Sequence, residues 1–506
     1  MKYYISYDLG TGGVKASLYD EDLHTLGKSF IEYPTYYPKD TYHEQRPEDW
    51  WNGVVQSTKK LLAETGVSGD RVACLALSGH SCVAVPIDDR GKLLMPQVPI
   101  WSDTRAQKEA EDFFNQVDYN AWYLSTGNGF PAACYCLFKL MWLRRQDPEL
   151  FARIHTVLGS KDYINFRLTG KALTDFSYAS SFGAYDLQSS SLREEFLQAA
   201  DIPLSIFPDI VPSHTIVGTV SETAAKEIGL SEHTKVACGG VDNACMALGA
   251  VGAAEGKAYV SLGSSSWVPV NSSVPVLDTK TRPYVFAHIA EGMFTSAYSI
   301  FAGGSSFQWI RNQLCRDFAE EPDAYIRMSQ MAADVPLGSN GILFNPSLAG
   351  GTSQDKSVHI RGAFVGLHLG TTREEMIRAA MEGIALNLRM SLDLLAQKVP
   401  LEKELLFCGG GSKSPFWMQM FSDIFDMDVI KTNIDQDAAS LGAAAICVRA
   451  DGKQENYDFV PALHHLESRC KPNAEAHEQY EKLLAVFRHV SEVCADLGEY
   501  MKDSRK

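Results

Sequence analysis

The sequence predicts an α/β protein built from two copies of one unit, with a binding cleft between them. Three observations carry this. Tyr4-Ile5-Ser6-Tyr7-Asp8-Leu9-Gly10-Thr11-Gly12-Gly13-Val14-Lys15-Ala16-Ser17-Leu18-Tyr19 reads as a strand, a glycine-rich turn and a second strand. Ser261-Leu262-Gly263-Ser264-Ser265-Ser266-Trp267-Val268 has the same layout, with serines in place of glycines. Asp242 and Asp435 each lie seven residues before a glycine in a run of small residues, and Leu248-Gly249-Ala250 and Leu441-Gly442-Ala443 close the two runs alike. An internal duplication explains these echoes.

The opening turn separates two ways of holding a nucleotide. A P-loop runs strand, glycine loop, helix, whereas here a second strand follows. Gly10, Gly12 and Gly13 let backbone N–H groups approach an anion closely. Asp8 sits where a metal-bound water is held, and Thr11 can donate to a phosphate oxygen. The plain alternative is a tight hairpin at the start of a sheet.

Further along, Glu48 to Glu64 reads as a helix with Trp50, Trp51, Val54, Val55, Leu61 and Leu62 as its apolar stripe. Val72 to His80 is a buried strand ending in a turn. Val83 to Ile87 is extended and leads into the turn Asp88-Asp89-Arg90-Gly91. Phe138 to Arg145 is helical. Val236 to Asn243 is a strand that leads into a small-residue helix, Ala244 to Ala250. Gly256 to Val260 starts the second copy, and Leu405 to Ser412 is a buried strand running into Gly409-Gly410-Gly411. That glycine run lets a base or ribose lie against bare backbone, or else makes a close strand–helix turn. Ala474 to Lys502 is one helix, with Tyr480, Leu483, Leu484, Phe487, Val490, Leu497 and Tyr500 on its packed side.

Asp242 is the most chemical position. It ends a strand, follows two glycines and precedes a helix. Phosphoryl transfer needs such a carboxylate to orient an attacking hydroxyl and take its proton, with magnesium and backbone donors neutralising charge. The plain alternative is an N-cap.

A chain of 506 residues fits about two domains. The net charge of −16 argues against non-specific nucleic-acid or anionic-membrane binding. The eleven cysteines have no CxxC spacing, which predicts buried reduced thiols and a cytoplasmic setting. The N-terminus shows no basic segment followed by an apolar run, so no signal peptide is expected. No run of about 18 apolar residues predicts a membrane span.

Taken together, these segments resemble the FGGY family of carbohydrate kinases, within the actin-like ATPase superfamily. The residues that carry the resemblance are Asp8-Leu9-Gly10-Thr11, Ile100-Trp101-Ser102-Asp103-Thr104-Arg105, Gly239-Gly240-Val241-Asp242-Asn243 and Ser261-Leu262-Gly263-Ser264-Ser265. Gly409-Gly410-Gly411-Ser412-Lys413-Ser414, Gly362 to Leu367, and Glu375-Met376 with Ala379 to Glu382 add to them. Lys139 to Leu143 fits the N-terminal pattern, but Cys134 and Cys136 stand where other residue types are usual.

The resemblance implies two actin-like, ribonuclease H-like α/β domains with an ATP cleft between them. It implies a sugar-binding domain at 1–248, a nucleotide-binding domain at 249–450 and a helical extension at 451–506. ATP and Mg2+ are the expected cofactors, with Asp8 holding the metal through water and Asp242 beside it. Gly10, Thr11, Gly12 and Lys15, with Gly263, Ser264 and Ser265 opposite, would line the phosphates. Gly409, Gly410, Gly411 and Ser414 would flank the adenosine. Asp242 would be the general base, and Asn243, Trp101 and Asp103 would face the substrate. The partner is a small sugar or polyol, and homodimers are common in the family.

Substrate identity in this family tracks the turn Ser78-Gly79-His80-Ser81-Cys82-Val83, which makes His80 and Ser81 substrate candidates. Xylulose kinases usually carry Gly, a variable residue, then Met-His-Gly. This chain has its histidine one position early and lacks the methionine. It also lacks the Arg-Glu pair of glycerol kinases. Gly350-Gly351-Thr352-Ser353-Gln354 replaces a Gly-Glu-Arg-(Thr/Ala)-Pro pattern. Gly159-Ser160-Lys161-Asp162-Tyr163-Ile164, Arg167 to Gly170 and Thr174 to Ser177 favour the xylulose kinase group. D-Xylulose is the expected substrate. The alternatives are glycerol, erythritol, ribulose or a longer ketose, or a sensor of the same fold that binds without turnover.

Overall fold

The computed structural model describes residues 2–502. In the first half, the elements that matter are β1 (Tyr3–Gly10), β2 (Gly13–Tyr19), β3 (Thr25–Glu32), α1 (Pro47–Thr65), β4 (Val72–Gly79), α2 (Ser160–Thr169), β5 (Ile216–Thr219), β6 (Lys235–Ala237), β7 (Gly240–Val241) and α3 (Asp242–Val251). In the second half they are β8 (Ala258–Leu262), β9 (Ser266–Ser272), β10 (Tyr284–Ala287), β11 (Phe294–Ile300), α4 (Gly303–Leu314), α5 (Arg373–Ala396), β12 (Glu404–Gly409), α6 (Pro415–Phe425), β13 (Asp428–Thr432), α7 (Ala438–Ala450), β14 (Leu466–Cys470) and α8 (Ala474–Met501).

The duplication is visible in the sheets. The first runs β5-β6-β4-β1-β2-β3, with β7 beside β4; the second runs β10-β11-β9-β8-β12-β13-β14. In each, an antiparallel hairpin (β1/β2, β8/β9) joins two parallel neighbours (β4 and β6, β12 and β13). The hairpin glycines fit the tight tips, where Gly10 pairs with Gly13 and Leu262 with Ser266. α1 forms because its buried stripe, including Trp50, Trp51, Val54 and Leu61, recurs at helical spacing. Pro47 opens it and Gly66, at φ 67°, closes it.

The two echoed small-residue helices meet each other. Added at Gly249, a Cβ would lie 1.8 Å from the Ala438 carbonyl oxygen. At Gly442 it would lie 2.0 Å from that of Cys245. Backbone thus touches backbone where α3 and α7 cross, and only glycine fits both positions. α7 follows the strands of the second sheet in sequence, yet Leu441 and Ala443 to Val448 bury in the core of the first half with Tyr4, Cys74 and Ala76. At the C-terminus, β14 extends the edge of the second sheet, and Tyr480, Leu484 and Phe487 of α8 enter the second core. The packed side differs from the expected one near the end: Leu497 is 54% and Tyr500 89% exposed, while Cys494, Ala495 and Gly498 are buried in that last stretch. All eleven cysteines are unpaired thiols.

Candidate active site

Register brings the candidates together. Asp8 pairs with Ser78 and Leu9 with Gly79 across β1 and β4, while Gly240 pairs with Ser78 and Val241 with Gly79 across β7 and β4. One step beyond these rows, the carboxyl ends of three parallel strands release the Gly10-Thr11 turn, His80 and Asp242. Open α/β sheets bind ligands at such ends. Gly239-Gly240 makes this possible. A Cβ at Gly239, where φ is 76°, would meet the Leu77 carbonyl oxygen at 2.2 Å, and one at Gly240 would meet Ile289 Cδ1 at 2.3 Å.

Asp242 opens α3 without capping it. Its Oδ1 accepts from its neighbour, the Asn243 N–H, at 2.8 Å. Burial, and next the nearby charge of Asp8, push its carboxyl up to about 7. A carboxylate poised there is matched to taking a proton at neutral pH. Asp8 is also raised, chiefly by burial, and accepts from Ser78 Oγ at 3.0 Å. Asp435, the counterpart of Asp242 in the second unit, is consumed instead: its Oδ1 takes the Gly409 N–H at 2.6 Å. The two copies have diverged at one position, the first leaving its carboxylate facing the cleft and the second using it to close a turn.

The Thr11 turn is braced from behind. Gln45 Nε2 donates to the Thr11 carbonyl at 2.6 Å, Trp50 Nε1 donates to Gln45 Oε1 at 2.9 Å, and Tyr33 OH donates to the Gly10 carbonyl at 2.6 Å. Neither Gln45 nor Tyr33 stood out in the sequence. Trp101, 39% exposed, donates from Nε1 to Thr11 Oγ1 at 3.0 Å, which leaves the threonine hydrogen free for an anion. Gly12 and Gly410 have no protein atom within 4 Å of an added Cβ, and neither has positive φ. Packing therefore does not require glycine at either place, and the backbone there is open. The opposite hairpin tip, Gly263 to Ser265, is exposed, and its Gly263 and Ser264 carbonyls take the Gly304 and Ser305 N–H groups of α4 at 2.8 and 3.0 Å. Gly409 has φ 90°, and a Cβ at Gly411 would strike Leu262 Cδ2 at 2.1 Å, so these two glycines answer to packing.

Three expectations change. Asp103 does not face substrate. It is fully buried, taking Arg105 Nη2 at 2.7 Å and the His43 N–H at 2.7 Å. Ser414 caps α6, its Oγ accepting from the Trp417 N–H at 3.2 Å and donating to Ser329 Oγ at 3.1 Å. Lys15 is not a free phosphate ligand either. Its Nζ donates to the Gln436 carbonyl at 2.7 Å, lies 3.1 Å from Asp437 and 3.9 Å from Asp8, and so ties the first hairpin to the second half.

His80 is buried, and burial pushes it down to about 4, so the ring is neutral. Its Nδ1 lies 3.0 Å from the Leu9 carbonyl oxygen. A carbonyl only accepts, so Nδ1 carries the hydrogen and Nε2 remains an acceptor, without a protein partner among the described residues. Ser81 is buried beside it, and Asn243 is half-buried next to Asp242.

No group of three or more His, Cys, Asp or Glu able to hold a metal ion occurs among the described residues. The repelling pair Asp8 and Asp242 nevertheless fits a hard cation that keeps water and phosphate oxygens as its other ligands, as Mg2+ prefers.

Two α/β units with a raised carboxylate at the strand ends suit phosphoryl transfer, and the comparisons name the class. Residues 3–249 match the FGGY family of carbohydrate kinases, N-terminal domain, and residues 258–450 match its C-terminal domain, so the chain belongs to this family of ATP-dependent sugar kinases. It is 29% identical over 507 residues to a xylulose kinase from Bacillus subtilis (strain 168), covering 100% of both chains. It is 28% identical over 497 residues to a gluconokinase from the same organism, covering 97% of this chain and 95% of the relative. A solved xylulose kinase from Rhodospirillum rubrum superposes with TM-score 0.89 at 26% identity, covering 98% of this chain and 100% of that one. A gluconate kinase from Lactobacillus acidophilus gives 0.91 at 24% identity, covering 99% of each. No helix among the described residues is long and apolar enough to cross a membrane.

Proposed function

We propose that this kinase transfers the γ-phosphoryl group of ATP to a terminal hydroxyl of a small neutral ketose or polyol, with D-xylulose the first candidate and Asp242 the general base. The observation that carries this is the Asp242 carboxyl, raised to about 7 at the carboxyl ends of the sheet beside Asp8. Asp242 accepts the hydroxyl proton as the oxygen attacks phosphorus, and the departing ADP keeps the electron pair of the broken P–O bond. Thr11 and the open backbone at Gly12 cradle phosphate, and Gly410 leaves room for the nucleoside. His80 Nε2 accepts from a sugar hydroxyl, with Asn243, Trp101 and Ser81 around it. Asp8, through water, and Asp242 would hold Mg2+, which would supply charge neutralisation to the phosphates. The unpaired thiols favour a reducing cytoplasm.

The gluconokinase relative makes an acid sugar the second reading. The buried cations behind the substrate turn argue against it. Arg105 is taken by Asp103 and Glu44, Lys139 by the Cys82 and Ile100 carbonyls, and Lys161 by Asp162 and Asp175. None of the three is left for a sugar carboxylate. ADP release across a panel of D-xylulose, D-ribulose, glycerol, erythritol and D-gluconate tests this. The expected result is kcat/KM at least tenfold higher for a ketose or polyol than for gluconate. Preference for gluconate overturns the neutral-sugar reading, and binding in calorimetry without any sugar-dependent ADP release would identify a sensor.

A further inference from the structure

Behind the cleft lies a buried charge cluster that the chemistry above does not use. Lys161, Asp162 and Asp175 are fully buried, with Lys161 Nζ 2.5 Å from Asp162 Oδ1 and 3.0 Å from Asp175 Oδ1. An ion cluster removed from water costs desolvation that its own attraction barely recovers, so what it holds is informative.

It holds the segment that aims Asp242. Lys161 Nζ donates to the Cys238 carbonyl at 3.1 Å, and Asn165 Nδ2 donates to the same oxygen at 2.8 Å. Asp175 Oδ2 accepts from Ser213 Oγ at 2.7 Å and from Ser177 Oγ at 2.5 Å. The Ser177 oxygen in turn accepts the Val241 N–H at 3.0 Å, one residue before Asp242. The Ser213 carbonyl takes the Gly239 N–H at 3.0 Å. The same platform grips the substrate turn. Ser160 Oγ and Tyr178 OH each donate to the His80 carbonyl at 2.9 Å, and a Cβ on Gly79 would strike Ser160 Oγ at 2.7 Å and Lys161 Cβ at 2.8 Å.

We propose that the Lys161–Asp162–Asp175 cluster, acting through Ser177, is a positioning centre that fixes Asp242 relative to the substrate turn. Asp175 orients the Ser177 hydroxyl so that its lone pair, rather than its hydrogen, meets the Val241 amide. Ser177 is therefore a positioning residue whose hydroxyl sets where the base points. This rests on Asp242 being the base.

The test compares Ser177→Ala, Ser177→Thr and Ser213→Ala with the parent and with Asp242→Ala in the full chain. Ser177→Ala is expected to lower kcat about 10- to 100-fold and to leave KM for ATP within about twofold, since misplacement of a reacting group acts on rate. Ser177→Thr, which keeps the hydroxyl, is expected to recover most of kcat. Ser213→Ala, which touches Asp175 but not Val241, is expected to stay within about threefold. A merely structural role would lower thermal stability in both alanine variants and leave kcat of the folded protein in place, with no rescue particular to the hydroxyl of Ser177→Thr. Parent-like kcat in Ser177→Ala beside an inactive Asp242→Ala overturns the positioning role alone. Turnover by Asp242→Ala overturns the base reading, and this proposal with it. If Ser177→Ala does not fold, Asp175→Asn makes the same comparison, and a parent-like kcat there overturns the proposal equally.

Discussion

Asp242→Ala is expected to abolish sugar-dependent ADP release while ATP still binds. A positioned general base contributes about 10²- to 10⁴-fold, and the proposed nucleotide contacts at Gly10 to Gly12 and Gly410 are backbone groups that the substitution leaves in place. Turnover is read by coupled ADP assay and binding by calorimetry. The same variant is expected to be as stable as the parent, or more so, at pH 8. A carboxyl raised from its ordinary value to about 7 holds its proton in the folded chain where the unfolded chain has released it. The folded state therefore binds more protons between about pH 4 and 7, and unfolding free energy falls as pH rises through that window. About 1.4 kcal/mol per pH unit caps the penalty at about 4 kcal/mol above pH 7, and a wet cleft lowers it. Removing the carboxylate removes the penalty above the window and changes nothing below it. A thermal scan at pH 4 and pH 8 reads both, and thereby separates lost chemistry from lost fold.

Asp103→Ala is expected to act the opposite way, on stability first. Its carboxylate is fully buried and meets the Arg105 guanidinium, whose side chain is 2% exposed. Taking one partner from a buried pair costs about 3–5 kcal/mol because the other charge stays buried. Here Glu44, 2.6 Å from Arg105 Nη2, and the Tyr42 ring, 3.8 Å from the guanidinium, soften the loss to about 2–4 kcal/mol. For a unit of this size, that is a fall of about 5–10 °C in Tm. The His43 N–H also loses its acceptor, two residues from the Gln45 that braces the Thr11 turn. KM for ATP is therefore expected to rise with the loss of stability. A variant of parental stability with a raised KM for sugar alone would return Asp103 to the substrate.

What the sequence revealed follows from the range of the physics involved. Alternation around Gly10 to Gly13 is local, and the strand after it excluded a P-loop without any tertiary knowledge. The Gly249 and Gly442 echo was legible as a duplication, but not its purpose, which is the backbone contact between α3 and α7. That α7 covers the first sheet runs against chain order, so nothing local could announce it. Asp103 misled because a carboxylate in a motif and one serving an arginine two residues on look alike in one dimension. Lys15 misled in the same way, since its partners Gln436 and Asp437 lie more than 400 residues away. The end of α8 failed by angle: at 3.6 residues per turn Leu497 and Tyr500 rotate away from the face of Phe487, and Ser491, Cys494 and Gly498 continue that buried face instead. The Lys161 cluster needs residues 161, 175, 177, 213 and 238 side by side, and nothing in the linear sequence joins them.

The central claim is a poised Asp242 in the cleft, and the pH dependence of kcat/KM tests it most directly, measured with both MgATP and sugar limiting so that the free enzyme is reported. A single acid limb of unit slope is expected, levelling near pH 7, where burial and Asp8 have moved the carboxyl. A profile that is flat from pH 5 upward would contradict it, because an ordinary carboxylate near 4 would then be serving, or none at all.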